Sequence, residues 1–183
     1  MLDRIIEPLD AIARMSPDLA LREARQLLAH ATRESSLRQR VERTLAAAAV
    51  SAAGPSFETL VAADDWSLEL FVWPRGATTP IHDHTSWGIY RCLAGNLGED
   101  RFVRLDDESQ HAVAHLRKDW RALWTPGQES SLLPYAGGIH RVRNAGLSAA
   151  ASLHLYGPRG SIDGRDYEPG RDFVCDRPVL LAA

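Results

Sequence analysis

Two histidines, His82 and His84, stand two residues apart in the segment GATTPIHDHTSWGIYRCLAG, which runs from Gly76 to Gly95. In the preceding residues 67–73, Leu and Val alternate with other side chains, which is typical of a strand that enters a packed β-structure. Residues two apart on a strand share a face, so both imidazoles can reach one point in space. A third imidazole, His140, lies in the segment GGIHRVRN. Three imidazoles that converge inside a β-barrel would form a metal site.

A second pattern places three polar side chains on one face of another predicted strand. In ASLHLYG, the residues Ser152, His154 and Tyr156 lie at i, i+2 and i+4, so a strand would aim all three at the barrel interior. Buried polar groups need hydrogen-bond partners, and the nearest available partner of each of these three residues is another of the three. We expect the serine to orient the imidazole and the imidazole to orient the phenol, whose hydroxyl would face the metal. The alternative is a structural polar ladder, or a tyrosine that reaches solvent at a barrel end.

These segments resemble the two sequence motifs of the cupin superfamily. The first motif is matched by the spacing of Gly76, His82, His84, Gly88 and Gly95, and the second by Gly137, His140 and Asn144. Gly88 stands where the first cupin motif normally has a glutamate that binds the metal. Its absence resembles the thiol dioxygenases, which hold iron with three histidines, and the string IHDHTSWG is similar to the bacterial branch of that family. Ser152, His154 and Tyr156 match the family's Ser-His-Tyr triad. The likeness covers roughly residues 57–165.

The resemblance implies a fold, a cofactor and a reaction. The expected fold is mainly β, a cupin double-stranded β-helix (jelly-roll-like) barrel with an N-terminal helical segment. The implied metal is Fe(II), held by His82, His84 and His140, with Tyr156, His154 and Ser152 as the catalytic triad. The implied reaction uses O2 to oxidise a small mercapto-carboxylic acid, 3-mercaptopropionate-like or cysteine, to its sulfinic acid. The alternatives are another metal-dependent cupin enzyme and a non-catalytic cupin that binds a metal or ligand.

The resemblance also suggests how the substrate carboxylate is held. Cysteine dioxygenases use an arginine upstream of the first motif, but the corresponding segment here, FETLVAADDW, has no arginine and contains Glu58 instead. In bacterial 3-mercaptopropionate dioxygenases, an arginine nine residues after the triad tyrosine does this work, and Arg165 stands at that spacing. Arg159 is the nearer alternative. Either guanidinium could form a charge-assisted contact with a carboxylate. The resemblance to 3-mercaptopropionate dioxygenases therefore favours a mercapto-carboxylic acid that lacks an obligatory amino group over cysteine.

A dense series of short strands is expected to carry these residues. From about residue 57, apolar runs are separated by Gly, Pro and Asp, and the candidate strands are 67–73, 80–84, 88–93, 101–105, 111–116, 121–125, 130–133, 139–143 and 148–156. This density favours a sandwich or barrel over βαβ units. The tail from Gly157 onward has the composition of a loop that wraps the surface.

Residues 1–54 are predicted to form helices. Ser16-Pro17-Asp18 is typical of a helix start, a third apolar pattern begins near Leu37, and Gly54-Pro55 ends it. The expected organisation is a helical segment, 1–54, packed on a cupin barrel domain, 55–183.

Composition limits the class of partner and the compartment. The net charge is −3 among 183 residues, and the two signs are interspersed, so neither nucleic acid nor an anionic membrane is an expected partner. The sequence shows no long apolar run and no secretory signal, and Cys92 and Cys175 are too few for a disulfide framework. We therefore expect a cytoplasmic protein whose partners are a small thiol and O2, with its oligomeric state left open.

Overall fold

Helices occupy the first part of the chain and strands the rest. A computed structural model describes residues 3–48, 54–109, 113–158, 164–168 and 174–179. The helices are α1 (Asp3–Ala13), α2 (Pro17–Ala31) and α3 (Ser35–Ala48). The strands are β1 (Ser56–Ala62), β2 (Ser67–Trp73), β3 (Ile81–His82), β4 (Gly88–Ala94), β5 (Leu97–Arg104), β6 (Leu116–Trp124), β7 (Glu129–Leu132), β8 (His140–Asn144), β9 (Ala150–Tyr156), β10 (Gly164–Glu168) and β11 (Val174–Val179). A 3₁₀ turn, Tyr135–Gly138, connects β7 to β8.

The start of α2 follows the sequence prediction. Ser16 is its N-cap residue and Pro17 its first helical residue, although the Ser16 side chain makes no capping hydrogen bond. The helix buries a stripe of small and apolar side chains, Ala20, Ala24, Leu28 and Ala31, at the spacing of one helical face. The predicted continuation of α3 toward Gly54 falls on residues 49–53, which lie outside the described residues. None of the described helices has the length and apolar character that crossing a membrane requires.

The described strands form two antiparallel sheets. The first sheet has the order β1-β2-β9-β4-β7, and the second has the order β11-β10-β3-β8-β5-β6. Side chains alternate across each strand, so each sheet has two distinct faces. In β9, Leu153 and Leu155 point to one face of the first sheet, while Ser152 and His154 point to the other.

The helices cover the outer face of the first sheet. A buried cluster joins apolar residues of all three helices to those of three strands, among them Leu9, Leu28, Val41, Leu70, Ile89, Leu153 and Leu155. Burying each such Leu, Ile or Val side chain stabilises the fold by about 1.5–3 kcal/mol. A second cluster lies between the sheets and contains Trp73, Tyr90 and Cys92 of the first sheet and Leu97 and Val142 of the second. The predicted boundary between residues 54 and 55 stays a prediction.

Three parts of the strand prediction were wrong, and each concerns an edge or the tail. The strand β1 was missed because most of its side chains are exposed, so it lacks the alternation of a half-buried strand. One edge strand with mostly exposed residues, β6, stands where the end of the predicted strand 111–116 and most of the predicted strand 121–125 were expected; residues 111 and 112 lie outside the described residues. The tail predicted to be a loop contains β10 and β11, which extend the second sheet beyond β3.

Candidate metal centre

The three predicted histidines converge through pairing in the second sheet. His82 in β3 is the cross-strand partner of His140 in β8, which places both side chains on one face. His84 follows just beyond the end of β3, so it reaches the cluster from a loop and not from the strand that was predicted over residues 80–84. The ring centroids lie 4.6–5.2 Å apart, and the candidate ligand atoms of the three residues lie within 4.8 Å of one another. The arrangement can hold a metal ion.

Hydrogen bonds at the far side of two rings select the nitrogen that faces the centre. Nδ1 of His82 lies 3.1 Å from the carbonyl oxygen of Pro80, and Nδ1 of His140 lies 2.8 Å from Oε1 of Glu99. Both partners are acceptors, so each Nδ1 carries the proton and each Nε2 presents a lone pair. Nε2 of His84 lies 3.0 Å from Nε2 of His140. Two imidazole nitrogens at this distance share a proton or a cation.

The surroundings keep these imidazoles uncharged. Removal from water lowers the pKa of His82, and it lowers the pKa values of His84 and His140 still further, with added repulsion from neighbouring positive charge. Metal ligation requires neutral imidazole. At neutral pH the three rings are therefore in the protonation state that binds a cation.

The polar row predicted in β9 is present as a continuous chain of hydrogen bonds. Oγ of Ser152 lies 2.7 Å from Nε2 of His154, and Nδ1 of His154 lies 2.9 Å from the hydroxyl oxygen of Tyr156. An unpredicted fourth member, Trp73, donates its indole N–H to Oγ of Ser152 at 2.8 Å. His154 is clamped between the rings of Phe71 and Tyr90, with centroid distances of 4.2 and 5.1 Å.

The direction in which protons are donated along this row of hydrogen bonds follows from the chemistry of its members. The indole can only donate, so Ser152 accepts from Trp73, and in the described contacts the one acceptor for the serine proton is His154 Nε2. Burial lowers the pKa of His154 to about 3, so its ring is neutral and carries one proton, on Nδ1. That proton is donated to the Tyr156 oxygen, which leaves the phenolic proton free to point away from the row.

Tyr156 brings the row and the histidine cluster together. Its ring lies 5.3 Å from that of His84, in stacked orientation. Burial, with a smaller effect of the negative charge on Glu69, raises the pKa of Tyr156. The phenol therefore stays protonated at neutral pH and can donate a hydrogen bond beside the centre.

Gly88 makes room for that phenol. It is the cross-strand partner of Tyr156, and a Cβ atom at this position would lie 3.0 Å from Cδ1 of the tyrosine ring. Cys92 pairs instead with Ser152, and its thiol contacts the carbonyl oxygens of Ala94 and Gly95. Burial raises the pKa of this thiol to about 11. The register thus separates Cys92 from Tyr156 by four residues along the strand.

The sequence reasoning missed Glu99. This residue is 0% exposed and contacts His140 directly. The predicted strand, 101–105, began after Glu99, so the sharing of one face by Leu97, Glu99 and Arg101 in β5 was not recognised. A charged pair beside an apolar residue on one strand face is unusual and was an available signal. Its partner His140 lies 41 residues away in the sequence, so only the fold identifies the contact.

Of the two predicted substrate arginines, Arg165 is described, and its side chain does not face the cluster. Asp166 is the cross-strand partner of His82, which places Arg165 on the opposite face of β10, together with Tyr167. The Arg165 side chain lies 3.3 Å from a carboxylate oxygen of Glu108. Arg159 lies outside the described residues. Glu58, noted in the sequence, is an exposed residue that pairs with Arg40 of α3.

Two facing antiparallel sheets with a three-histidine cluster define a mainly β protein that can bind a metal. Residues 56–162, more than half of the 183-residue chain, match the family described as cysteine dioxygenase type I. The chain belongs to the family of type I cysteine dioxygenases.

Solved structures of low sequence identity are similar to the chain. A protein from Thermus thermophilus is 23% identical, with 60% of this chain and 88% of that chain covered and a TM-score of 0.46. A cupin superfamily protein from Desulfitobacterium hafniense is 17% identical, with 60% and 84% covered and a TM-score of 0.43. An RmlC-like cupin with a double-stranded β-helix fold from Methanocaldococcus jannaschii is 14% identical, with 60% and 85% covered and a TM-score of 0.44. The expected mainly β fold with an N-terminal helical segment is confirmed by the three helices and the two antiparallel sheets that follow them.

Proposed function

We propose that this protein is an Fe(II)-dependent thiol dioxygenase that acts on a small mercapto-carboxylic acid. The reaction is R–SH + O2 → R–SO2H, in which both oxygen atoms end on sulfur. The sulfur loses four electrons and dioxygen gains four, so no external reductant is required. The family match supports a dioxygenase, and the three-histidine cluster supports a metal cofactor; the iron and the thiol are our proposal.

The proposal rests on one observation, which is that a cation site and a hydrogen-bond donor lie next to each other. Three neutral imidazoles form a cation site, and a protonated phenol stacks against one of them. Imidazole donors suit iron among several transition metals. His82, His84 and His140 would hold Fe(II), which would supply the redox chemistry for the reaction of the thiol with dioxygen.

The protein's own residues then have distinct tasks. His82, His84 and His140 add no negative charge to the site, which leaves the cation's charge available to attract a thiolate. Tyr156 offers its hydroxyl proton to substrate or to oxygen. His154 and Ser152 hold that hydroxyl in place, since their hydrogen bonds at 2.9 and 2.7 Å restrict the phenol to one direction. Precise placement of such a donor is worth orders of magnitude in rate.

We further propose 3-mercaptopropionate, or a close analogue, as the preferred substrate, with Arg165 or Arg159 as the group that binds its carboxylate. For Arg165 this role requires the guanidinium to leave Glu108, a partner at 3.3 Å, and to reach the cluster from the opposite face of β10. A partly exposed ion pair of this kind contributes at most about 1 kcal/mol. An Arg165→Ala variant with an unchanged KM for 3-mercaptopropionate would exclude Arg165 from this role and leave Arg159 as the candidate.

The test is metal analysis of aerobically purified protein, followed by oxygen uptake with a panel of small thiols. We expect one iron per chain and thiol-dependent uptake that yields the sulfinic acid. His140→Ala should lose both iron and activity, whereas Tyr156→Phe should keep iron and turn over slowly. Stoichiometric iron without thiol-dependent uptake would refute the dioxygenase proposal. Comparable turnover of cysteine and 3-mercaptopropionate at equal concentrations would refute the substrate preference.

A further inference from the structure

A fully buried carboxylate lies directly behind one of the three histidines. Glu99 in β5 faces the space between the sheets and accepts hydrogen bonds on both oxygens. Oε1 is 2.8 Å from Nδ1 of His140 and 2.8 Å from Nε of Arg101. Oε2 is 2.9 Å from Nε1 of Trp124 and 2.6 Å from Oγ of Ser130. Four donors meet the four lone-pair positions of a carboxylate, so every acceptor position is used.

The donors are themselves held by the two sheets. Arg101 is buried, and its Nη2 also donates to Oγ of Ser130 and to the carbonyl oxygen of Ser131 at 2.9 and 2.6 Å. Ser130 belongs to β7 of the first sheet, whereas Glu99, Arg101 and Trp124 belong to the second. The network therefore ties the two sheets together behind His140, and it fixes the position of the carboxylate independently of the histidine.

We infer that Glu99 is the positioning residue of the metal centre. It fixes His140 with Nε2 toward the metal. It also supplies negative charge behind that ligand, in a site where Gly88 stands in place of an acidic ligand. This inference rests on the proposed function in one respect, which is that the histidine cluster is the metal site of the protein. A carboxylate that accepts from a ligand imidazole increases its basicity and holds its tautomer. His82 has only the neutral carbonyl of Pro80 at 3.1 Å for the same purpose. Of these two ligands, His140 is therefore the one whose ring is held by a charged acceptor, and Arg101, which pairs with the same carboxylate, offsets part of that charge.

The neighbouring residue Asp100 provides a matched control. It is also 0% exposed, but its carboxylate points to the opposite face of β5, where it bonds to Arg121 and Arg141 at 2.6 Å each. Removing Glu99 leaves the buried Arg101 without its carboxylate partner, and removing Asp100 leaves Arg121 and Arg141 without theirs, so both substitutions should destabilise the fold. Only the loss of Glu99 should alter the metal site.

The experiment measures Co(II) binding to apoprotein, by competition with a chelator, for the wild type, Glu99→Gln and Asp100→Asn. We expect Glu99→Gln to weaken Co(II) binding about 10- to 100-fold and to shift the Co(II) d–d absorption. Asp100→Asn should lower the melting temperature and leave both the Co(II) affinity and the spectrum unchanged. A Glu99→Gln protein that is folded and binds Co(II) as the wild type does would overturn the inference.

A second measurement uses the unaltered protein and so does not depend on the variant folding. In ¹⁵N-histidine NMR of wild-type apoprotein at neutral pH, His140 should show the Nδ1–H tautomer with a strongly downfield proton. An Nε2–H tautomer for His140 would overturn the inference. Neither measurement involves thiol oxidation. A wild-type protein that binds Co(II) through a Glu99-dependent His140 but oxidises no thiol would refute the proposed function alone.

Discussion

Gly88→Ala should slow catalysis much more than it weakens metal binding. A Cβ atom at position 88 would lie 3.0 and 3.1 Å from Cδ1 and Cε1 of Tyr156 and 3.3 Å from Cδ1 of Leu132. Favourable carbon–carbon contacts begin near about 3.5 Å, so the phenol ring must move by roughly half an ångström or more. The cost of this overpacking is about 1–2 kcal/mol in the free energy of unfolding.

The effect on rate should be larger because the ring carries the hydroxyl. Misplacement of a reacting group by about 1 Å costs on the order of 100-fold in rate, so we expect kcat to fall by about 10- to 100-fold. The three atoms nearest to the new methyl group belong to Tyr156 and Leu132 and not to the histidines, so iron content should be retained.

The assay compares kcat, KM and iron content of Gly88→Ala with those of Gly54→Ala. At Gly54 a Cβ would meet no atom within 4 Å, so this control adds a methyl group without a clash. Denaturant unfolding of both variants supplies the stability difference. A Gly88→Ala enzyme with wild-type kcat would refute the reasoning, as would a loss of iron equal to the loss of rate.

Three further predictions rest on the same geometry. Since Cys92 lies four residues from the partner of Tyr156, intact-mass and peptide analysis should show no loss of two hydrogens linking them, and such a crosslink would contradict the register. The pKa of His154 is about 3 in the folded state and near 6.5 in the unfolded chain. The free energy of unfolding should therefore fall as pH drops from about 6.5 toward 3, by up to about 1.4 kcal/mol per pH unit for this residue. His154→Gln should flatten that slope, and an unchanged slope would show that another group is responsible. A Cβ at Gly157 would overlap the Trp87 ring, so Gly157→Ala should cost about 2–3 kcal/mol, and urea unfolding within about 0.5 kcal/mol of wild type would contradict this prediction.

The polar row of β9 shows how far local pattern reaches. Ser152, His154 and Tyr156 share a face because strand geometry repeats every two residues, and this holds wherever the strand is placed. Their mutual hydrogen bonds could therefore be predicted. Trp73, which completes the row, lies 79 residues from Ser152 in the sequence, and no periodicity connects the two.

Arg165 shows what local pattern leaves open. By resemblance, its spacing from Tyr156 suggested a contact with the substrate carboxylate, but the direction of its side chain depends on how β10 pairs with β3. A one-residue change of register reverses every side chain of a strand. In the observed register Asp166 shares the face of His82 and Arg165 does not. The tail's Gly and Pro content had favoured a loop, and only pairing with the sheet made β10 a strand.

The sequence by itself determined the three candidate ligands and the Ser-His-Tyr row. The row is a short pattern whose geometry is set by the strand that carries it, whereas His140 joins His82 only through the pairing of β3 with β8. Only the tertiary structure decided which residues contact those groups. Glu99 meets His140, and Tyr156 meets Gly88, through pairings between strands distant in the chain. Register and sheet order depend on the burial of the whole core, so these contacts could not be obtained from any single segment.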